Sequence, residues 1–455
     1  MINIPYEASS ILQKLQQAGY EAWVVGGCVR DSILSKTPDD WDITTSALPE
    51  QVKELFSHTV DTGIKHGTVT VMIGRQGFEV TSYRLDGTYT DGRHPDKVTY
   101  TSSLEEDLRR RDFTINAMAY NPQYGVVDLF GGRDDLKRHI IRCVGDPGER
   151  FDEDALRMMR AVRFAAQLGF AIERNTAAAI AGRVKNLGLV SAERVRTELV
   201  KLLVSDHPDF ISLACDLGIT GIVIPEYDRI RGVAQHTPNH IYDVEKHTLL
   251  SLLSIDPLPI LRLTMLLHDL GKPDVKKTLP DGRDIFYKHP QVSAVYAEDI
   301  MRRLKFDNYT REHVVRLVKW HGLKYTPCEA SVRRALNRVG EDIFDSFIKV
   351  QRADISAKNP ALAAEKLELL DRKEQIYHRI ISEGQCFTQS SLKLNGRDLI
   401  AAGIAPGPLI GAILDKLTER VIDDQSLNDK KKLLELAMQL KDDPDVFTPK
   451  ESFKM

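Results

Sequence analysis

Apolar and polar residues change rhythm along the 455-residue chain, and each change predicts a change of architecture. SSILQKLQQAGY carries its apolar residues at helical spacing, AWVVGG is a continuous apolar run closed by two glycines, and HGTVTVMIG and FEVTSYRL alternate as half-buried strands do. This mixture predicts a head of strands and helices. From about Asp152 the alternation stops, and DEDALRMMRAVRFAAQLGF, SAERVRTELVKLLVS and KKKLLELAMQLKDD predict that the remainder is all helical. GDPGERFDED, with two glycines and a proline, predicts a hinge where the class changes, and GVAQHTPNHIYD (Gly232–Asp243) predicts a second break. There is no repeat of fixed period and no low-complexity tract. The polar stretch DGTYTDGRHPDKVTYTSS, Asp86–Ser103, is too long for a passive connector and reads as a functional loop.

Composition narrows the class without choosing a function. Hydrophobic residues make up 42% and charged residues 28%, as in a soluble globular protein, and no apolar run approaches the roughly 18 residues of a membrane span. MINIPYEASS lacks the basic and apolar blocks of a secretory signal, so a cytoplasmic location is the default expectation. Five scattered cysteines (Cys28, Cys143, Cys215, Cys328, Cys386), never in a CxxC pair, argue against a disulfide framework and a thiolate zinc site. A net charge of −3 carries no global nucleic-acid signal, although a basic groove is compatible with it.

The chemistry begins at GGCVRDSILSKTPDDWDITTS, Gly26–Ser46. Gly26 and Gly27 follow an apolar strand and precede a helix-like segment, where backbone amides can approach a phosphate, and Arg30 adds a planar cationic donor. Asp40 and Asp42 are two apart in a strand-like segment and therefore emerge on one face, where they can share Mg²⁺ for an in-line nucleotidyl transfer. Glu79 is the candidate for a third carboxylate. In DLRRRDFTINAMAY, the arginines Arg109, Arg110 and Arg111 are candidates for a triphosphate clamp and Asp112 for accepting from a sugar hydroxyl.

In EDALRMMRAVRF, Glu153–Phe164, the residues Asp154, Arg157, Arg160 and Arg163 recur every third position and predict a slanting polar stripe on one helix. An acceptor Asp154 beside a donor Arg157 complements cytosine and adenine, which both present an amino donor next to a ring-nitrogen acceptor. Guanine and uracil present the opposite order, so one side-chain pair can admit C and A and reject G and U.

The residues resemble the bacterial tRNA nucleotidyltransferases, or CCA-adding enzymes, within the wider tRNA nucleotidyltransferase and poly(A) polymerase family. VVGGCVRD, DDWDITTSALPEQV, TGIKHGTVTV, DGTYTDGRHPDKV, DLRRRDFTINAMA, FDEDALRMMRAVRFAAQLGF and SAERVRTELVKLL carry the resemblance, in order, over about the first 205 residues. It implies an α+β fold: a polymerase-beta-like nucleotidyltransferase head, a mixed sheet with helices, then an all-helical neck, body and tail that hold the acceptor end of tRNA. The expected divisions are a head at 1–140, a neck at 141–232, a body at 233–360 and a tail at 361–455. The resemblance implies phosphate contact at Gly27 and Arg30, Mg²⁺ at Asp40 and Asp42, triphosphate and ribose contact at Arg111, and nucleotide selection at Asp154 and Arg157 with Arg160 and Arg163 beside them. It also implies CTP and ATP as substrates and tRNA as partner, with no membrane. The long loop matches a segment that A-adding members possess and CC-only relatives lack, which leaves CCA addition, A addition and poly(A) synthesis as readings.

A second constellation lies downstream. His247, the His268–Asp269 pair and Asp354 form an H…HD…D series, with His289 and His321 between them, and the order resembles the HD-domain phosphohydrolase superfamily. Imidazole and carboxylate together suit a divalent metal. His236 and His240 read as ordinary surface or core histidines. The competing functions are therefore an HD phosphohydrolase with a substrate-binding head, or an RNA-binding scaffold with both sites silent.

Overall fold

The computed structural model describes residues 2–64, 67–86, 98–443 and 446–447, and the chain forms two compact units, Met1–Pro225 and Glu226–Met455. In the first unit, helix α1 (Tyr6–Gln17) buries Ala8, Ile11, Leu12 and Leu15, one stripe of an amphipathic helix. The chain then builds a seven-stranded mixed sheet in the order β3-β4-β5-β2-β1-β8-β9. Its members are β1 (Ala22–Val25), β2 (Ile43–Thr45), β3 (Thr59–Gly63), β4 (Thr68–Ile73), β5 (Gln76–Ser82), β8 (Met118–Asn121) and β9 (Gly125–Asp128). β2 and β5 run parallel, in the register Ile43 with Val80, and the other neighbours are antiparallel. All of β1 and β2 is buried, which is why these strands read as unbroken apolar or threonine runs instead of alternating ones.

Helices α2 (Gly27–Ile33), α3 (Pro49–Leu55), α4 (Leu104–Arg109) and α5 (Gly132–Arg138) are threaded between the strands. Of the long polar loop, residues 87–97 lie outside the described residues. Its flanks pair as an antiparallel ribbon of β6 (Arg84–Asp86) and β7 (Val98–Tyr100), so the last part of the predicted loop is strand.

Four helices complete the part that concerns the site: α6 (Pro147–Glu153), α7 (Leu156–Leu168), α8 (Arg174–Arg183) and α9 (Ala192–Leu203). The expected hinge GDPGERFDED is α6. Asp146 caps it by accepting from the Glu149 backbone N–H, and Pro147 occupies the first helical position, where its missing N–H costs nothing. Strand also persists past Asp152, because Ala171–Ile172 pairs in parallel with Ile140–Ile141.

Among its described residues, the second unit is helical apart from a short hairpin of Lys277–Thr278 with Asp284–Ile285. Phe344, Phe347, Leu336 and Leu370 centre one apolar core, and Leu399, Ile413, Leu417 and Leu433 centre another nearer the C-terminus. No described helix is long and apolar enough to cross a membrane.

Candidate active site and a histidine cluster

The turn from β1 into α2 brings the first group of residues together. Gly26 has φ +83°, a conformation that favours glycine, and a Cβ there would stand 3.2 Å from Arg111 Nη1. Arg111 thus lies against the turn. Its Nε is buried with no hydrogen-bond partner among the described residues, and its charge also acts on Asp42. Arg30, from α2, donates to Asn116 at 2.8 Å and to both oxygens of Asp31, and stacks over the Phe164 ring at 5.2 Å.

Asp40 and Asp42 lie immediately before β2, not within it, although the Asp42 carbonyl still accepts from Val25 N–H and so continues the β1 pairing. Asp42 is solvent-exposed at its surface but hemmed in by protein. That desolvation raises its carboxyl above the ordinary value, with the nearby Glu79 and Asp40 raising it further and Arg111 opposing them. Glu79, on β5, is therefore close enough for its charge to be felt at Asp42. Asp40, Asp42 and Glu79 offer hard oxygen donors of like charge, the kind Mg²⁺ takes.

Only one of the three consecutive arginines faces this group. Arg109 is exposed and pairs with Glu105 at 2.5 Å, and Arg110 pairs with Asp107 at 2.7 Å. Sequence reasoning missed Asp107. Fully buried, it accepts from Thr44 Oγ1 at 3.1 Å and stands 3.5 Å from Arg111, tying the arginine run to β2. The signal was its spacing of three and four residues from Arg110 and Arg111. Asp112 is also buried: Oδ1 accepts from Phe113 N–H at 2.8 Å and Asn116 at 3.4 Å, and Oδ2 meets Arg160 at 2.6 Å. Burial would push its carboxyl up, but Arg160 and Arg157 outweigh burial and hold it at about 2.

The segment expected as one helix over Glu153–Phe164 is broken. Asp154 is extended (φ −144°, ψ 103°) between α6 and α7, because its Oδ1 accepts from the Leu156 backbone N–H at 3.0 Å, the competing local bond that short carboxylates make at helix starts. Arg157, Arg160 and Arg163 do share α7. Arg157 donates to Glu153 at 2.7 Å and to the Arg110 carbonyl at 3.1 Å. Arg163 is buried against Glu198 of α9 at 2.5 Å. The Phe164 ring carries the guanidiniums of Arg160 at 5.3 Å and Arg163 at 3.8 Å, besides Arg30. Arg194 and Glu198, which reach Asp154 and Arg163 from α9, were also missed; their four-residue spacing in AERVRTELV was the available signal.

In the second unit, His247, His268, Asp269 and Asp354 converge with His289 and His321. The ligand atoms of His247, His268 and Asp354 lie within 4.8 Å of one another, as do those of Asp269, His289 and His321. The four imidazoles share one device. Each Nδ1 faces a backbone carbonyl: Ala357 for His247 at 3.2 Å, Met265 for His268 at 2.8 Å, Phe286 for His289 at 2.8 Å and Val318 for His321 at 2.7 Å. With the proton assigned to Nδ1 by that network, the Nε2 lone pairs point inward, and two pairs of them meet at 3.2 Å, His247 with His268 and His289 with His321. Two acceptors facing each other repel, and a shared cation would resolve the conflict.

Asp269 is buried with neither oxygen in a well-aligned hydrogen bond, although Lys272, His268 and His247 approach Oδ2 at 2.6, 3.2 and 3.4 Å and His289 approaches Oδ1 at 3.3 Å. Burial opposes ionisation of Asp269, but the charge of Lys272 helps hold it well below the carboxylate range; Lys358 does the same for Asp354. Burial lowers His247, and lowers His321 to about 3, so both are neutral at neutral pH. The exposed His236 pairs with the buried Asp284, and the His240 ring packs edge-on against His247 at 5.0 Å.

Three family models match the chain: the poly A polymerase head domain over 22–142, the probable RNA and SrmB-binding site of polymerase A over 169–230, and a putative tRNA nucleotidyltransferase domain 2 over 286–437. The CCA-adding enzyme of Leuconostoc mesenteroides is 36% identical over 439 residues, 96% of this chain and 97% of that one. That of Lactobacillus delbrueckii subsp. bulgaricus is 37% identical over 437 residues, 94% and 96% of the two chains. Among solved structures, the Bacillus stearothermophilus CCA-adding enzyme in complex with CTP superposes with a TM-score of 0.71 at 30% identity over 95% of this chain and 96% of that one. The Thermotoga maritima CCA-adding enzyme complexed with tRNA shares the fold, with a TM-score of 0.57 at 20% identity over 96% of each chain. With its mixed-sheet head, its helical continuation and this likeness along nearly its whole length, the chain belongs to the CCA-adding enzymes of the tRNA nucleotidyltransferase family.

Proposed function

We propose that the chain adds CCA to the 3′ end of tRNA from CTP and ATP, without a nucleic-acid template, releasing pyrophosphate at each step. The observation that carries this reading is the meeting of Gly26, Arg111 and Asp42 at one turn of the head, in a chain similar to CCA-adding enzymes over 96% of its length. The backbone at Gly26–Gly27 approaches the triphosphate, Arg111 neutralises it with the help of Arg30, and the buried Asp107 keeps Arg111 in place. Asp40 and Asp42, with Glu79 beside them, would hold Mg²⁺. Bound there, Mg²⁺ lowers the pKa of the attacking 3′ hydroxyl and offsets the charge that develops on the departing pyrophosphate.

Asp154 and Arg157 select the base, and the Asp112–Arg160 and Arg163–Glu198 pairs hold α7 against its neighbours so that both selectors keep their places. The four-part division into head, neck, body and tail at 140, 232 and 360 is part of the same reading; the first two family models end near 140 and 232, which supports those boundaries, whereas the third runs across 360.

The test is extension of three labelled tRNAs, ending before CCA, after C and after CC, with CTP, ATP or both. Growth of all three to a single CCA end supports the proposal. Extension of the CC-ended substrate alone makes the chain an A-adding enzyme, and long A tails make it a poly(A) polymerase.

The histidine cluster supports a second reading: His247, His268, Asp269 and Asp354, with His289 and His321, bind divalent metal. Four inward Nε2 lone pairs and an aspartate without aligned donors are its support. Metal-dependent release of phosphate from a phosphoester that survives Asp40→Ala and is lost in Asp269→Ala would extend it to hydrolysis.

A further inference from the structure

Asp154 owes its direction to two donors, and only one of them belongs to its own segment. As an extended residue between α6 and α7, it has no helical turn to fix its side chain. Leu156 N–H holds Oδ1 at 3.0 Å, and Arg194 Nη2, reaching in from α9, holds Oδ2 at 2.7 Å. A carboxylate gripped by one oxygen turns about its terminal torsion, which is broad and roughly two-fold; gripped by both, it has a fixed plane and fixed free lone pairs.

Helix α9 is itself anchored. One turn beyond Arg194, Glu198 is 5% exposed and takes Arg163 of α7 at 2.5 Å, so the donor to Asp154 stands on a helix tied to the helix that carries Arg157. The Arg194 and Asp154 side chains remain 23% and 14% exposed, so the pair borders solvent that a base can displace.

We infer that Arg194 is a specificity-determining positioning residue, which aims the Asp154 carboxylate at the amino group of cytosine or adenine. The inference rests on the reading of Asp154 as base selector. Without Arg194 the carboxylate is still an acceptor but has lost its aim, so the preference for C and A weakens. The triphosphate contacts at Gly26 and Arg111 are untouched.

The experiment uses the full-length chain and single-nucleotide addition to tRNA lacking CCA, with kcat/KM measured for CTP and for UTP. Wild type, Arg194→Met, Arg194→Lys and Asp154→Ala are compared, each with its thermal unfolding midpoint. Arg194→Met is expected to lower the CTP to UTP ratio tenfold or more with an unfolding midpoint near wild type, and Arg194→Lys to restore at least part of that ratio. If Asp154→Ala leaves the ratio unchanged, the selector reading fails and the inference falls with it. If Asp154→Ala lowers the ratio while Arg194→Met slows CTP and UTP equally, Arg194 is structural and the inference alone is overturned. Should Arg194→Met fail to fold, Arg194→Gln replaces it under the same two criteria.

Discussion

Replacing Asp112 by asparagine preserves shape and removes the buried charge that meets the half-buried Arg160 at 2.6 Å in the first unit. Its carboxyl is held at about 2, against 3.8 for an unperturbed aspartate. At about 1.36 kcal/mol for each tenfold change, that difference corresponds to about 2 kcal/mol of stability at neutral pH. The sign follows from the direction. A depressed carboxyl stabilises the fold fully above its unfolded value of 3.8 and loses that stabilisation as pH falls towards 2. Asp112→Asn should therefore cost roughly 2–4 kcal/mol at pH 7, the upper end reflecting the uncompensated Arg160. The gap from wild type should shrink to roughly half at pH 3.

The chain has three tryptophans, and Trp23 and Trp41 both lie in the unit Met1–Pro225. In a Trp320→Phe background, urea unfolding followed by tryptophan fluorescence then reports that unit alone. A cost below about 0.5 kcal/mol at pH 7, or a cost that stays the same at pH 3, would refute the assignment of Asp112 to a half-buried, stabilising ion pair.

Gly26→Ala forces a methyl group into a left-handed backbone conformation 3.2 Å from Arg111, so it should destabilise by about 1–2 kcal/mol and raise KM for CTP and ATP together; an unchanged KM would separate this turn from triphosphate binding. Asp42 pays in stability for its place: its raised carboxyl means that ionisation at neutral pH costs the fold something, and Asp42→Asn should unfold no more easily than wild type while extension falls by about 100-fold or more. A variant that loses activity only because it unfolds would argue against a catalytic role. Chelator-treated protein titrated with Mn²⁺ in a calorimeter should bind it, and Asp269→Ala should weaken that binding by about 10- to 100-fold; equal affinity in both would remove the histidine cluster as a metal site.

The elements set by local periodicity were legible in the chain. α1, α7, α9 and the fully buried β1 each follow from a run whose spacing admits one structure. Local bonding overrode pattern in two places. Asp146 and Pro147 start a helix where glycine content suggested a hinge, and Asp154 ends one where periodicity ran on, in both cases because a short carboxylate found a backbone N–H two or three residues ahead.

The residue types of the site, GG, DWD, RRRD, DALR and H…HD…D, were in the sequence by themselves, because their chemistry depends on identity and short spacing. Which members work together was decided by tertiary structure alone. Three adjacent arginines look equivalent in sequence, yet Arg111 faces Gly26 and Asp42 while Arg109 faces Glu105, since Asp107 and Thr44 fix the rotation of α4 on the sheet. Arg194 is 40 residues from Asp154, and Asp354 is 107 residues from His247. Charges so far apart along a chain meet only when helices pack, and packing depends on the whole apolar surface, not on any motif.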